Sequence, residues 1–368
     1  MRSVREEGFI SPWQGAILLW FSILPTAILF LPALLARRAQ QDAWLSVVLA
    51  VALTLPLGLV VYWLAVRFPR NSLFQYSELV LGKFGGKLLS LFYVLAFIQL
   101  NAIILREFSE FLVTAVMPET PLLVFTVTIT AVAVYAARNG VEVIARSAEF
   151  VMPLMVAFFL IVLVLVTPQM SVRNLFPILE KGLRPVLSGA MLAWGFTGEI
   201  VVMTAIGAFI NPPWEIRESL LVGLTGVLLF LSSMVLSGVL VFGAAEAGRL
   251  SFMAFSMARL ISIANFLERV EVLFMAIWVA GVFIKVTLNL YIAALGLATV
   301  ADLTEYRPLC APLAALMVAL SVLLFDNISE VFSFLEKIFP AWSLLWEFAV
   351  PLGLMLVAAI RRKKGGGV

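Results

Sequence analysis

Histidine is absent from this 368-residue chain, and cysteine occurs once, at Cys310. Without histidine there is no Ser-His-Asp or Cys-His constellation, and the commonest metal ligand and near-neutral general base is missing. A lone cysteine excludes an internal disulfide. Charge is scarce as well: 13% of residues are charged, against about 25% in an ordinary soluble domain. The 25 basic and 22 acidic residues leave a net charge of +3. The basic ones lie between apolar runs and at the tail, not in one stripe, so there is no nucleic-acid footprint. Nucleotide cradles are lacking too, since LGKFGGKLL (81–89) matches neither GxxxxGK[ST] nor GxGxxG after a strand. Metalloenzymes, His-dependent hydrolases, nucleic-acid binders and ATP-driven pumps are thereby set aside. No pattern points to an enzyme or calls for a cofactor.

What abounds is apolar. Hydrophobic residues make up 63% of the chain and the mean hydropathy is +1.08. A membrane-spanning helix needs about 20 such residues to cross roughly 30 Å of hydrocarbon. Runs of that kind lie near 13–35, 43–66, 88–116, 121–137, 149–167, 186–209, 218–244, 271–300, 309–325 and 339–360. They predict an all-α integral membrane protein with about ten transmembrane helices in a single transmembrane domain over 1–368. Helices 1–5 fill about 13–167, helices 6–10 about 186–360, and 361–368 form a basic tail. The first run contains Pro25 and Pro32 and is long enough to span, so it reads as a span and not as a cleavable signal. The segment 249–267 is amphipathic and interrupted by Arg259, which reads as an interfacial helix rather than an eleventh span.

With ten spans both termini share one side. That side would carry Arg2, Arg5, Arg67, Arg70, Lys83, Lys87, Arg138, Arg146, Arg217, Arg307 and the tail residues Arg361, Arg362, Lys363 and Lys364. The other side would carry Arg37, Arg38, Arg173, Lys181, Arg184, Arg249, Arg259, Arg269 and Lys337. The richer side is expected to be cytoplasmic.

The two halves echo each other in position. Span 1 contains SILPTAILFLP (22–32) and span 6 contains GAMLAWGFTGEI (189–200). Interrupted segments at matching places of two halves point to a transporter with inverted repeats. Five helices per half is an odd number, so successive halves insert with opposite topology. Pro25 removes one backbone hydrogen bond, which reads either as a break in the helix or as a plain proline kink, and Ser22 and Thr26 flank it with hydroxyls able to meet freed carbonyls. Gly195 and Gly198 each weaken the sixth helix by about 1 kcal/mol relative to alanine, and Thr197 lies between them.

Glu199 follows at mid-span. A carboxylate at the bilayer centre is costly unless it faces a cavity or a partner, which makes it a functional candidate. It would face a ligand ammonium or exchange a proton; the alternative is a buried group satisfied by a neighbouring helix. Lys285, inside span 8, shares a face with Gly281 and Asn289, with Trp278 nearby. Its ammonium would act as a fixed cation, pair with Glu199, or snorkel toward another carboxylate. In span 3, Gln99, Asn101, Arg106, Glu107 and Glu110 form a polar cluster that reads as a structural i,i+4 ion pair of Arg106 and Glu110, the alternative being a substrate vestibule. Arg138, Glu142, Arg146 and Glu149 read as a solvated face.

Taken in order, these segments resemble the spore germination B subunits, or spore permease family, of the amino acid–polyamine–organocation superfamily. The resemblance runs from Ile10 to about Arg362. It rests on 267–290, where Glu268, Arg269 and Glu271 lead into Trp278 and Lys285. It rests also on the LP ending span 1 (Leu31, Pro32), on RFP followed by SLFQYSELVLGKFGG (72–86), and on the Gly198–Glu199 pair. It implies a LeuT-like 5+5 inverted repeat with broken helices 1 and 6, set in the inner membrane of spores, where the charge bias expects both termini to be cytoplasmic. It further implies a midplane pocket for a small germinant, often an amino acid, between spans 1, 3, 6 and 8. Ser22, Pro25, Thr26, Gly195, Thr197, Gly198 and Glu199 are the candidate ligand positions, with Lys285 and Glu199 as coupling or structural charges. An A-type membrane subunit and a C-type lipoprotein subunit are the implied partners, besides membrane lipid. A proton-coupled amino-acid permease is the competing reading, and a scaffold or ion-conducting subunit is the third.

Overall fold

A computed structural model of the chain describes residues 8–261 and 270–365. Its helices are α1 (Pro12–Ala39), α2 (Ala43–Arg67), α3 (Leu73–Leu81), α4 (Lys83–Ala115), α5 (Leu122–Arg138), α6 (Val141–Val166), α7 (Leu183–Thr197), α8 (Met203–Ile206), α9 (Ile216–Ala247), α10 (Met253–Arg259), α11 (Val270–Val300), α12 (Arg307–Leu323), α13 (Ile328–Lys337), α14 (Phe339–Ser343) and α15 (Val350–Ile360). Each expected apolar run lies on a helix. Among the described residues, seven helical stretches are long and apolar enough to cross a membrane, and the pair α12–α13, bent by 99°, adds an eighth. One of the seven, Pro12–Arg67, holds two expected spans in 56 residues. Unbroken, it would reach about 84 Å, far beyond the hydrocarbon core. The chain turns instead at Gln40, whose φ of 54° and ψ of −128° leave the helical region. α5, shorter at 17 residues, completes the ten expected runs.

Burial explains why α1 is apolar all round. It begins with a capping box in which Ser11 and Gln14 exchange side-chain and backbone hydrogen bonds, followed by Pro12 at the first position. From residue 15 to residue 36 every side chain is buried, because α1 is enclosed by α2, α6, α7, α9 and α11. Outer helices keep one face for lipid: Leu59 is 69% exposed, Tyr135 74% and Phe150 74%. An apolar belt of this kind is stable against hydrocarbon and not against water.

Polar contacts collect at two rims. At one, Phe9 N–H donates to Glu142, Gln14 to Glu149, Arg307 to the Arg138 carbonyl, and Arg67 to the Lys363 carbonyl. Both described ends of the chain therefore sit on the same rim. Arg146 pairs with Glu142 there, both partly exposed, as a solvated face requires. Lys87 donates to Asp302 at 2.6 Å, and this hydrogen bond, with Lys83 3.7 Å away, holds the Asp302 carboxyl below the ordinary carboxylate range. α3 lies against α4 so closely that a Cβ on Gly86 would collide with the Glu78 backbone, and burial pushes the Glu78 carboxyl upward. Gly86 thus serves helix packing, while Gly82, at φ 84°, makes the turn between α3 and α4. At the opposite rim Arg37 donates to the Gly248 carbonyl, and Arg38 pairs with Glu336.

Two features depart from the sequence reading. α10 buries Met253, Ala254, Phe255, Met257 and Ala258 in protein, against α1, α9 and α11, instead of offering that face to the interface. An amphipathic stretch has the same pattern whether its apolar side meets lipid or other helices. Residues 262–267 of that segment, Glu268 and Arg269 of the resemblance, Arg2, Arg5 and 366–368 of the tail lie outside the described residues. The interruption in α1 takes a mild form: the helix continues through Pro25 and Pro32 and loses single hydrogen bonds there. The interruption in the sixth span is larger. α7 gives way at Gly198 to a 3-10 turn, Gly198–Val202, before α8 resumes.

Candidate functional site

A fully buried ion pair lies where α1, α11 and the end of α7 meet. α11 presents Trp278, Gly281 and Lys285 toward α1. Trp278 Nε1 donates to the Pro25 carbonyl at 2.7 Å. A Cβ on Gly281 would lie 2.9 Å from Met155 Cε and 3.4 Å from Pro25 Cγ, so the glycine lets α1 come close. One turn further, Lys285 Nζ donates to Thr26 Oγ1 at 2.6 Å and to Glu199 Oε1 at 3.0 Å, with Oε2 2.8 Å away. Both charged side chains are essentially inaccessible, at 0% and 2% exposed. In so dry a setting an ion pair holds only when its geometry is close and extra hydrogen bonds help, and here Thr26 supplies one. Of the alternatives for Lys285, pairing with Glu199 is the one realised.

The other expected residues spread around this junction. Pro25 contributes the carbonyl held by Trp278. Ser22 Oγ donates to the Leu19 carbonyl of its own helix at 2.7 Å. Thr197 Oγ1 meets Thr54 Oγ1 of α2 at 2.6 Å. The Gly195 carbonyl accepts from Ser343 Oγ at 3.4 Å, and Gly198 faces Glu347: a Cβ there would run into the carboxylate Oε2. Thr26, Glu199 and Lys285 therefore converge. Gly195, Thr197 and Gly198 are turned toward α2 and the α14–α15 region, and Ser22 satisfies itself.

Two further carboxylates belong to the cluster. Glu107 of α4, 2% exposed, lies within electrostatic reach of Lys285 and Glu199. Its neighbours Arg106 and Glu110 form a separate structural pair at 2.6 Å, with Arg106 also bonded to the Ser321 and Val322 carbonyls of α12. Glu347, 0% exposed, sits in a π-helical turn, Leu344–Ala349, and feels both Glu199 and Lys285. It went unread in the sequence although the signal was there, an acidic residue inside an apolar span. Three carboxylates thus surround one ammonium. Beside Trp278 a small apolar cavity of about 40 Å³ lies between α1, α6, α9 and α11, lined by Leu24, Ile28, Phe158, Met234 and Trp278 among others.

The arrangement of helices is shared with known transporters. The chain superposes with TM-score 0.72 on Mhp1, a nucleobase-cation-symport-1 family transporter solved closed with bromovinylhydantoin bound, at 12% identity over 98% of this chain and 81% of that one. It superposes with TM-score 0.65 on a Na+-coupled sialic acid symporter in its substrate-bound outward-open state, at 13% identity over 96% of this chain and 84% of that one. These likenesses establish the LeuT-like fold with its 5+5 inverted repeat. In sequence the chain is similar to spore germination protein KB of Bacillus subtilis (strain 168), 28% identical over 98% of this chain and 97% of that protein. It is also similar to the putative spore germination protein YfkT of the same organism, 26% identical over 94% and 95%, and to spore germination protein XB of Bacillus anthracis, 23% identical over 92% and 94%. The model of the spore permease family, described as spore germination protein, matches residues 9–329, and the chain belongs to that family.

Proposed function

We propose that this chain is the small-molecule-binding membrane subunit of a spore germination receptor, its ligand an amino acid held at the midplane. The observation that carries the proposal is the Thr26–Lys285–Glu199 junction. It ties α1, the 3-10 break after α7, and α11 together through side chains that a ligand between spans 1, 3, 6 and 8 would touch. Pro25, Thr26 and Glu199 are assigned to that ligand at the junction, with Lys285 as the fixed charge, while Ser22, Gly195, Thr197 and Gly198 are engaged with other helix groups and are assigned to shaping the two interrupted helices around it. A ligand carboxylate or ammonium that competes for this junction prefers one arrangement of the helices over another. Such differential affinity is what a receptor requires to signal. An A-type membrane subunit and a C-type lipoprotein would read the shift at the spore inner membrane, with both termini cytoplasmic.

The transporter fold supports a second reading, a proton-coupled amino-acid permease. Ligand-dependent thermal stability of the purified chain in detergent tests the shared core of both. A specific ligand at a hundred times its dissociation constant stabilises the folded state by about 2.7 kcal/mol. A shift with one amino acid, lost in Glu199→Gln, is the expected result; equal melting with all common amino acids contradicts an amino-acid site on this chain. Proton-dependent uptake of that amino acid into proteoliposomes by the chain alone would select the permease.

A further inference from the structure

We infer that Glu347 is a cation-binding carboxylate, a second charged position separate from the Lys285–Glu199 pair, which takes a monovalent cation: a proton, an alkali ion or an organic ammonium. The inference stands independently of the receptor reading.

Among the described residues Glu347 has no counter-charge of its own. It is fully buried, and neither of its oxygens meets hydrogen-bond geometry with a described donor. Ser343, one turn earlier, lies within reach but directs its hydroxyl to the Gly195 carbonyl. The two buried basic residues among the described residues are Arg106 and Lys285. Arg106 is held by Glu110 and by carbonyls of α12. Lys285 has Glu199 on one side and Thr26 on the other. A lone ionised carboxylate in such surroundings costs several kcal/mol, so the group needs a cation from outside the chain.

The backbone around it is shaped for this. The tenth span departs from α-helical spacing only at the π turn that carries Glu347, a distortion that recurs at functional sites. Opposite, Gly198 leaves room for the carboxylate where any side chain would collide with Oε2, at the point where the sixth span changes to 3-10 geometry. The titratable groups around Glu347 are Glu199 on the 3-10 turn, Lys285 on α11, and Tyr93 on α4, whose hydroxyl donates to the Trp346 carbonyl at 2.9 Å. Glu107 faces the same pair from α4. No group of three acidic, cysteine or histidine side chains fit for a metal occurs among the described residues. The chemistry therefore suits a single positive charge and not a divalent ion.

The test uses the full chain in detergent, with the thermal midpoint followed in two series at constant ionic strength. One varies pH in choline chloride; the other replaces choline by sodium, potassium or ethylammonium. The expected result is a saturable rise in midpoint in one series that disappears in Glu347→Gln and persists in Glu336→Gln, a partly exposed carboxylate at the far rim. The responding series identifies the cation. No response in either series, or a response that survives Glu347→Gln, overturns the inference. Should Glu347→Gln fail to fold, the wild-type chain supplies the answer through modification of Glu347 by an apolar carbodiimide, located by peptide mass. Its rate is expected to change with the effective cation, and a rate indifferent to pH and to every cation overturns the assignment.

Discussion

Replacing Lys285 by methionine probes the midplane most directly. In Lys285→Met, Glu199 loses an ammonium 2.8 Å and 3.0 Å from its two oxygens, and Thr26 loses the donor 2.6 Å from its hydroxyl. At 2.8 Å and an effective dielectric of about 20, the attraction is roughly 6 kcal/mol. Most of that is offset in the wild type by the desolvation of two ions, so the pair itself adds little net stability. Orphaning one partner is different: about 3–5 kcal/mol is lost when a buried charge is left alone. The double variant Lys285→Met/Glu199→Gln carries no charge at either position and is expected to recover most of the loss. A four-way cycle of chemical unfolding in detergent reads the coupling. The expected coupling is about 2 kcal/mol or more, with the double variant closer to wild type than Lys285→Met. A cost below about 1 kcal/mol for Lys285→Met, the worth of an exposed pair, or strict additivity in the double variant, would refute the argument.

Two further substitutions examine other joints of the bundle. Gly198→Ala drives a Cβ into the Glu347 carboxylate and is expected to lower stability by about 1–3 kcal/mol. Adding Glu347→Ala should relieve part of that loss, whereas a Gly198→Ala protein that melts with the wild type would show that the two helices do not meet as described. Asp302 is held below its ordinary range by the hydrogen bond from Lys87, so its contribution is complete above the ordinary aspartate value near 4 and fades as pH falls through its lower folded value. Melting scans of wild type and Asp302→Asn from pH ~6 to pH ~2 should differ by a constant amount at the upper end and converge at the lower end.

Much of this was readable because the bilayer restricts the chain so severely. Each apolar run of span length became a helix, and Glu199 and Lys285 were singled out since a charge inside such a run needs a reason. Pairing across helices was not readable in the same way. Nothing local says that Thr26, residue 199 and residue 285 meet, because the distances between them are set by how three helices pack. Glu107 was hidden by its neighbours: with Arg106 and Glu110 it formed one group in sequence, but adjacent residues on a helix point about 100° apart, and Glu107 turns to the centre while the pair turns to α12. Glu347 needed only the criterion already applied to Glu199. The π turn that carries it has no sequence signature, nor does the choice of α10 to pack on protein. Proline at 25 leaves a kink and not a break: the helix runs on through it and loses a single backbone hydrogen bond.

That indole has an optical consequence. Trp278 is wedged between the two helices, donating to α1, 4.8 Å from the Phe111 ring centroid and stacked 5.7 Å from Phe108. If α1 and α11 part, the indole loses its acceptor and its dry surroundings together, and its emission moves toward longer wavelengths. Among nine tryptophans, this one gives the protein a native fluorophore at the joint between its first and eighth spans, readable without any attached label.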